Sequence, residues 1–435
     1  MTATTATSTT ILRKHVEQVS PVRQYTMAVV FGAFGAIIWW LFARAMSADK
    51  VTKFVMTPSG SETSFPDLNL PTRLTLYILV ILPLALAVLQ AVLKGGFRSR
   101  TNLILFLVAG IFVFAFLTWG AAGKSMNMGG LLKTSLIKAV PLTLGALSGI
   151  LCERAGVVNI AIEGMMLMAA FTAVGFAAYF HSLWVGVLAA SLTGALMAAL
   201  HAVLSIKYKV DQIISGTVIN ILAAGATRFL NIRLLEPAGL STPGHFTPFA
   251  VPILSKIPVL GPMLFINQPI VFIMLGLLVV VNYVIFATPW GLRMRACGEH
   301  PRAADTVGVH VNRTRYISII IGGLVAGIGG AYFSLGQVGT FEDNMTAGQG
   351  FVALAAMIFG RWNPTGAFTA ALLFGFADAL QVKMQILEPV LPFINAPIPP
   401  EFLQTVPYIL TIVVLAGVVG NAIGPAAGGK PYEKQ

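Results

Sequence analysis

The fold of the chain is decided by one long apolar stretch, GMMLMAAFTAVGFAAYFHSLWVGVLAASLTGALMAALHAVLSI, which covers residues 164–206 and contains no Asp, Glu, Lys or Arg. A helix needs about 20 apolar residues to cross the hydrocarbon core of a bilayer. The stretch is therefore long enough for two membrane-spanning helices.

The same criterion finds further spans on both sides of this stretch. Clear spans lie at 103–123, 257–292, 316–341 and 402–429, and weaker ones lie at 27–46, 74–93, 136–152, 213–230, 346–360 and 366–382. Two of them, 136–152 and 346–360, are short enough to be half-helices. The pattern predicts an all-α, polytopic membrane protein with about 10–12 transmembrane helices.

The composition supports a membrane protein over a soluble one. Of the 435 residues, 56% are hydrophobic and only 10% are charged, whereas a soluble domain carries about 25% charged residues. The mean hydropathy is +0.82. An ordinary soluble enzyme is excluded, and one membrane domain is expected in place of several soluble ones.

The net charge of +12 comes from Lys and Arg in short clusters between the apolar spans, as the positive-inside rule expects. With residues 1–26 as a cytoplasmic tail, the largest cluster lies inside, and residues 423–435 form a second cytoplasmic tail. The basic residues predicted to lie inside are Arg13, Lys14, Arg23, Lys94, Arg98, Arg100, Arg154, Lys207, Lys209, Arg293, Arg295, Arg302, Arg313, Arg315, Arg361, Lys430 and Lys434. The Pro-rich segments 48–72 and 231–268 then become extracytoplasmic loops, and no nucleic-acid partner is expected.

Motifs for catalysis, nucleotide binding or metal binding do not occur in the sequence. The stretch GPAAGGK at 424–430 is close to a phosphate-binding loop, but Pro431 stands where Ser or Thr should bind magnesium. There is no His-Glu-x-x-His and no Cys-x-x-Cys, and Cys152 and Cys297 are far apart in the sequence. We therefore predict no catalytic residue, metal or cofactor on this chain.

Two segments of the sequence resemble each other: EGMMLMAAF at 163–171 and QGFVALAAM at 349–357. In the predicted topology the first runs outward and the second inward. Many transporters are built from inverted repeats with the substrate path at the repeat interface, so an inverted repeat is a possibility here. The alternative is that two Ala- and Gly-rich helices match by composition alone.

Four motifs, in order along the chain, resemble the permease subunits of bacterial ABC importers of the branched-chain amino acid and simple-sugar superfamily, most of all its nucleoside-type branch. They are ERAGVVNIAIEGM at 153–165, DQIISGTVIN at 211–220, GLRMRACGEHPRAADTVGV at 291–309 and GFVALAAMIFGRWNP at 350–364. The resemblance covers residues 136–422 as a permease core. Residues 27–135 add three transmembrane helices beyond what the family core requires.

This resemblance implies a division of labour among several chains. A separate cytoplasmic ATPase subunit would bind ATP and Mg²⁺, a second permease subunit would complete the channel, and an extracytoplasmic substrate-binding lipoprotein would deliver the substrate. The chain itself would be no enzyme. It would lie among the lipids of the bacterial cytoplasmic (inner) membrane, with both termini inside.

The loop 288–315 is expected to couple the chain to the ATPase, and Pro301 suits the first turn of a short helix. The residues predicted for coupling are Arg293, Arg295, Gly298, Glu299, Pro301, Ala303, Ala304 and Gly308. Without the resemblance, an ordinary positive-inside loop would explain the same charges.

An uncharged nucleoside would need amide groups and flat apolar surfaces along its path, and charges at membrane depth are costly and hence informative. The candidate path residues are Asn159, Glu163, Asn220, Gln349, Phe351, Asn363, Asp378 and Gln381. Asp378 and Gln381 share a helix face. Alternatively, Glu163 caps a helix, and the Asn and Gln side chains tie membrane helices together.

The sequence thus predicts the permease subunit of an ATP-driven importer, with nucleosides as the expected substrate. Simple sugars or riboflavin are the alternatives within this class. A stand-alone secondary carrier is the alternative from another class.

Overall fold

The computed structural model describes residues 21–58, 65–93, 95–258, 260–391, 396–405, 407–408 and 422–433. The helices are α1 (Pro21–Ile38), α2 (Thr72–Val92), α3 (Thr101–Gly120), α4 (Met128–Glu153), α5 (Ile162–Tyr179), α6 (Leu183–Ala202), α7 (Gln212–Leu230), α8 (Leu260–Leu264), α9 (Pro269–Ala287), α10 (Pro289–Glu299), α11 (Pro301–Thr306), α12 (Val311–Ala331), α13 (Gln349–Phe359), α14 (Pro364–Leu387) and α15 (Pro400–Gln404). The strands are β1 (Val51–Val55), β2 (Leu68–Pro71), β3 (Ser125–Asn127), β4 (Phe249–Ala250), β5 (Ile266–Asn267), β6 (Val390–Leu391) and β7 (Ala396–Pro397). The all-α fold class is confirmed.

Ten of the described helices, counted with the turns that continue them, are long and apolar enough to cross a membrane. They are Pro21–Ala43, Thr72–Val92, Arg98–Gly120, Met128–Glu153, Ile162–Tyr179, Leu183–Lys207, Gln212–Leu235, Pro269–Ala287, Val311–Val338 and Pro364–Leu387. The number agrees with the prediction and confirms a polytopic membrane protein. Much of the predicted span 402–429, the first 20 residues of the predicted N-terminal tail, and the basic residues Arg13, Lys14, Lys94 and Lys434 lie outside the described residues.

Of the two predicted half-helices, one is short and the other is not. Helix α13 has 11 residues, as the segment 346–360 indicates. The prediction of a short span at 136–152 is wrong, because α4 runs for 26 residues from Met128 and is capped by Asn127, whose side chain accepts a hydrogen bond from Gly130 N. The helix passes through Lys133, which is near enough to its start to extend its ammonium group toward the membrane surface, and through Lys138, which is paired with Asp378.

The described chain divides into two compact units. The smaller unit comprises Met1–Phe54, Leu68–Met126 and Leu387–Ile398, and the larger comprises Val55–Asp67, Asn127–Ile386 and Pro399–Gln435. The smaller unit holds α1–α3 and a three-stranded sheet in the order β2-β1-β3. Its core combines aliphatic side chains with aromatic ones, and the rings of Phe42 and Trp119 stack with centroids 5.0 Å apart.

The larger unit holds the other membrane-spanning helices, and α6 and α12 are in backbone contact within it. A Cβ placed on Gly323 would lie 2.4 Å from the carbonyl oxygen of Gly194, and one on Gly327 would lie 2.3 Å from that of Ala190. The spacing Gly323-x-x-x-Gly327 is typical of tightly packed membrane helices, because small residues let two backbones approach closely.

Helix α4 is the most buried span of the larger unit, with 89% of its apolar window buried. Helix α13 runs parallel to it, since Gly145 faces Ala353 and Gly149 faces Met357. Helix α5 runs antiparallel to α4, since Ile162 lies beside Gly149 and Met166 lies beside Gly145.

Candidate functional site

Glu163, a predicted path residue, is held at the start of α13. Its side chain is 7% exposed and accepts three hydrogen bonds, from Thr346 Oγ1 at 2.5 Å and from the backbone N–H groups of Gly348 and Gly350 at 2.8 and 2.6 Å. The first N–H groups of a helix lack partners within the helix, and a carboxylate is stabilised at the positive end of the helix dipole. Glu163 therefore caps α13 from the neighbouring helix α5.

The two mutually similar segments of the sequence meet at this cap. A Cβ on Gly350 would lie 2.6 Å from Glu163 Cα, so only glycine permits this approach of the two backbones. Since α5 and α13 run in opposite directions along α4, the two segments are antiparallel where they touch. A relation of the whole halves as an inverted repeat stays a prediction.

Asn159 and Asn220 fasten the turn between α4 and α5. Asn220 Oδ1 accepts from Gly164 N at 2.8 Å, and its Nδ2 donates to the carbonyl oxygen of Ile160 at 3.0 Å. Asn159 is fully buried, and its Oδ1 accepts from Ala161 N at 3.1 Å. The polar groups of both side chains are thus used within the protein.

Three other predicted path residues, Gln349, Asp378 and Gln381, line one pocket of about 280 Å³ in the larger unit. The pocket wall also contains Lys138, Gln404 and Tyr408, with apolar surface from Leu142, Val352 and Phe374. Amide, charged and phenolic groups therefore converge beside flat apolar surface. This is the composition of a small-molecule site.

Lys138 is a charged pocket residue that the sequence did not indicate as one. Its Nζ lies 3.2 Å from Asp378 Oδ2, and the two side chains are 32% and 34% exposed. A signal that could have indicated it is its depth in the membrane helix, because Lys138 lies ten residues inside a span that starts at Met128, where an unpaired charge is costly. Its partner is far away along the chain and only the fold brings the two together.

Phe351 and Asn363, the remaining predicted path residues, lie elsewhere. Phe351 is 48% exposed and does not line the described pocket. Asn363 Oδ1 accepts from the backbone N–H and the hydroxyl of Thr365, at 3.0 and 2.7 Å. It thereby caps the start of α14.

The predicted coupling loop 288–315 contains the two short helices α10 and α11, which we call the coupling helices. Helix α11 begins at Pro301, as the sequence indicates. Of the predicted coupling residues, Arg293, Glu299, Ala303 and Gly308 are exposed, Arg295 and Pro301 are half-buried, and Gly298 and Ala304 are buried. An exposed face and a buried face therefore both occur among these eight residues.

The C-terminal segment, residues 422–433, lies across the coupling helices. Ala427 N donates to the carbonyl oxygen of Gly298 at 2.9 Å, and Ala426 N donates to Glu299 Oε2 at 3.2 Å. The side chain of Tyr432 packs against the buried cluster around Ala304. The sequence analysis did not foresee this contact, because a Gly- and Pro-rich segment carries no periodic pattern.

The coupling helices also contact the turn between α4 and α5. Arg315, at the start of α12, is 2% exposed and donates through Nε to Ala155 O and through Nη1 to Lys430 O, both at 3.1 Å. A Cβ on Gly298 would lie 2.2 Å from Arg154 O. The coupling helices, the C-terminal segment and the turn that carries Asn159 thus form one hydrogen-bonded assembly.

A further pair of bonds ties the other end of α13 to this assembly. Arg154 Nε donates to Trp362 O at 3.0 Å, and Trp362 Nε1 donates to Glu153 Oε2 at 2.6 Å. Both ends of the short helix are therefore attached to the region around the α4–α5 turn.

The two cysteines are structural. Both are free and buried, and burial raises the pKa of the Cys297 thiol, so the reactive thiolate is disfavoured. Within the described ranges, no three His, Cys, Asp or Glu side chains are grouped so that they could hold a metal ion.

Ten apolar helices, a polar pocket among them and a separate pair of surface helices define a multi-pass membrane protein of the transporter class. Comparison with known protein families identifies the family to which the chain belongs. The model of the branched-chain amino acid transport system permease component matches residues 131–415. The chain belongs to this family, which confirms the family predicted from its motifs.

Three relatives are named as ABC transporter permeases, and the names differ in substrate. The guanosine ABC transporter permease protein NupQ of Bacillus subtilis is 41% identical over 309 residues, which are 69% of this chain and 95% of the relative. The nucleoside ABC transporter permease protein NupC of Lactococcus lactis is 39% identical over 306 residues, again 69% and 95%. A putative glucose ABC transporter permease protein of Haloferax volcanii, TsgC13, is 34% identical over 301 residues, 67% and 92%. No solved structure is significantly similar to the chain.

Proposed function

We propose that this chain is the membrane-spanning permease subunit of an ATP-driven importer of nucleosides. The observation that carries the proposal is its similarity, over nearly their whole length, to two permeases whose names specify guanosine and nucleosides. The pocket with Gln349, Asp378 and Gln381 is the proposed part of the substrate path. Its mixture of amide groups and apolar surface suits a solute with a flat ring and several hydroxyl groups.

ATP hydrolysis is assigned to a separate cytoplasmic ATPase subunit, which would bind ATP and Mg²⁺. The stretch 424–430 is close to a phosphate-binding loop, but two features argue against ATP binding there and support this assignment. Pro431 stands where the motif needs a hydroxyl ligand for magnesium, and residues 426–430 form turns against α10. A second permease subunit and an extracytoplasmic substrate-binding lipoprotein complete the proposed importer.

The proposed ATPase contact is the exposed face of the coupling helices together with the C-terminal segment. A rigid-body movement of α10 and α11 would act directly on the α4–α5 turn, because Gly298 is packed against Arg154 O without an intervening side chain. A closing movement of the ATPase would in this way be transmitted to both ends of α13.

This assignment places the chain in the bacterial cytoplasmic membrane with both termini inside. Residues 136–422 then form the permease core, 27–135 are additional helices, and 1–26 and 423–435 are cytoplasmic tails. The charge pattern supports this orientation, since five arginines lie in 288–315.

The function is tested by uptake of labelled uridine and adenosine into cells that lack only this gene, with and without a plasmid copy. ATP and the membrane potential are collapsed separately. We expect the plasmid to restore an uptake that requires ATP and is independent of the potential. An uptake driven by the potential would instead identify a secondary carrier, and unchanged uptake in the deletion strain would discard nucleosides as the substrate.

Simple sugars are the second candidate, because the relative from Haloferax volcanii is a putative glucose permease. Labelled glucose and riboflavin in the same cells separate these substrates from nucleosides. Restoration of glucose uptake alone would replace the nucleoside assignment and leave the permease class intact.

Replacement of Ala303 by Glu tests the proposed ATPase contact. Ala303 is exposed on α11, and its small side chain allows close approach of a partner. A carboxylate that is buried without a partner at a docking surface costs about 1–3 kcal/mol or more, and about 1.4 kcal/mol is a factor of ten in binding. We expect at least about a tenfold loss of ATP-dependent uptake with an unchanged amount of protein in the membrane.

Two controls accompany this variant. Ala303→Ser keeps the size of the side chain and is expected to retain uptake, and Ser47→Glu adds the same charge at an exposed position of the smaller unit. Ala304 is unsuitable for the test because it is 3% exposed, and a carboxylate there would disrupt the fold. Normal uptake in Ala303→Glu would remove the docking assignment.

A further inference from the structure

The Lys138–Asp378 pair stands out among the charges of the described spans. Lys138 lies ten residues from the start of α4, and Asp378 lies nine residues from the end of α14. Charges this far inside membrane helices are costly and are found facing cavities or substrate pathways. Here both side chains are about one third exposed, and what they face is the described pocket.

The two oxygens of Asp378 are in different situations. Lys138 Nζ lies at 3.2 Å from Oδ2. Within the part of the chain that the structure describes, no hydrogen bond is made to Oδ1. An ionised carboxylate can accept about four hydrogen bonds, so most of its accepting capacity is directed to whatever enters the pocket.

The surroundings of the pair narrow the class of ligand. Gln349 and Gln381 supply amide groups, and Leu142, Val352 and Phe374 supply apolar surface. The Lys138–Asp378 pair carries no net charge, so it gives neither a cation nor an anion an overall advantage, and a neutral polar solute fits the pocket. A carboxylate can accept one charge-assisted hydrogen bond from each of two adjacent hydroxyl groups of such a solute.

We propose that Asp378 accepts hydrogen bonds from the 2′- and 3′-hydroxyl groups of a ribonucleoside in transit, while Lys138, 3.2 Å from its Oδ2, holds the carboxylate in place. Acidic side chains bind ribose hydroxyl groups in this way in dinucleotide sites. The base then lies on the apolar surface beside the glutamine amides. This inference rests on the proposed function and adds to it a preference for ribose over 2′-deoxyribose at a named side chain.

A purely structural ion pair is the competing explanation, and the substrate separates the two. A structural defect lowers the transport of every nucleoside in proportion. Loss of a hydroxyl contact lowers the transport of the ribonucleoside and spares its 2′-deoxy analogue. The measured quantity is therefore the ratio of the maximal uptake rates of uridine and 2′-deoxyuridine, at concentrations that saturate delivery of both.

The variants are Asp378→Asn, the double variant Lys138→Gln with Asp378→Asn, and Asp343→Asn as the matched control. Asp343 forms an ion pair with Arg228 at 3.6 Å and does not line the pocket. We expect the rate ratio to fall about tenfold in Asp378→Asn, since a hydrogen bond to a charged acceptor is among the stronger ones. The ratio stays low in the double variant, which has no unpaired lysine, and is unchanged in Asp343→Asn.

An unchanged ratio in Asp378→Asn, or a ratio restored in the double variant, would overturn the inference and leave nucleoside transport standing. If the wild-type importer carries neither nucleoside, the proposed function itself fails, and the inference fails with it.

Discussion

Glu163→Ala is expected to reduce uptake to background and to destabilise the protein by about 3 kcal/mol or more, because hydrogen bonds to a charged group contribute about 1.5–3 kcal/mol each. The substitution removes the acceptor of three hydrogen bonds at the start of α13. The N–H groups of Gly348 and Gly350 would then be left without partners in a largely buried site. The measurement is uptake together with thermal unfolding of the purified protein in detergent.

Two further variants make the result specific to the cap. Glu163→Gln keeps one acceptor oxygen but places its NH₂ group against a backbone N–H donor. We therefore expect an intermediate loss of uptake and stability. Glu342→Ala removes an exposed carboxylate in the segment just before α13 and is expected to leave both quantities unchanged. Full uptake and an unchanged unfolding temperature in Glu163→Ala would contradict the capping role.

Gly323→Val is expected to prevent accumulation of folded protein. The added Cβ would lie 2.4 Å from both Gly194 O and Ala198 Cβ, and neither can move without a shift of helix α6. Overpacking of a well-packed core costs typically about 1–3 kcal/mol, and a clash with backbone belongs at the upper end of that range or above it. The amount of protein in the membrane and its elution as a single species in detergent are the measurements.

The control for this variant is Gly276→Val on helix α9. A Cβ on Gly276 would have no heavy atom within 4 Å, so the same substitution adds the same β-branched side chain without a clash. We expect normal accumulation of Gly276→Val. Equal accumulation of the two variants would show that the α6–α12 contact is looser than the structure has it.

The membrane fold was largely predictable, because the length of an apolar run is a local property of the sequence. The error at α4 has a physical reason. The span was predicted to begin only at residue 136, after Lys133, whereas a lysine near a helix terminus can place its ammonium at the membrane surface. The three spans of the smaller unit were predicted at 27–46, 74–93 and 103–123 and are observed at Pro21–Ala43, Thr72–Val92 and Arg98–Gly120.

The pocket was predictable only in part. Asp378 and Gln381 were found because their spacing places them on one helix face. Lys138 was missed because pairing with Asp378 depends on how α4 and α14 pack, and no pattern within either helix indicates it. Asn159 and Asn220 were recognised as important polar residues. Their use in fastening the α4–α5 turn was one of two interpretations that the sequence left open.

The cap on α13 has a consequence for how the protein is made. The donors to Glu163 are 183, 185 and 187 residues further along the chain. At a synthesis rate of about 5–20 residues per second, those donors are synthesised roughly 10–40 s after Glu163. During that interval its carboxylate has to be accommodated by the insertion machinery or by water. The packing around Glu163 therefore cannot be completed while the N-terminal helices are being synthesised. It is completed only after residues 346–350 have been made.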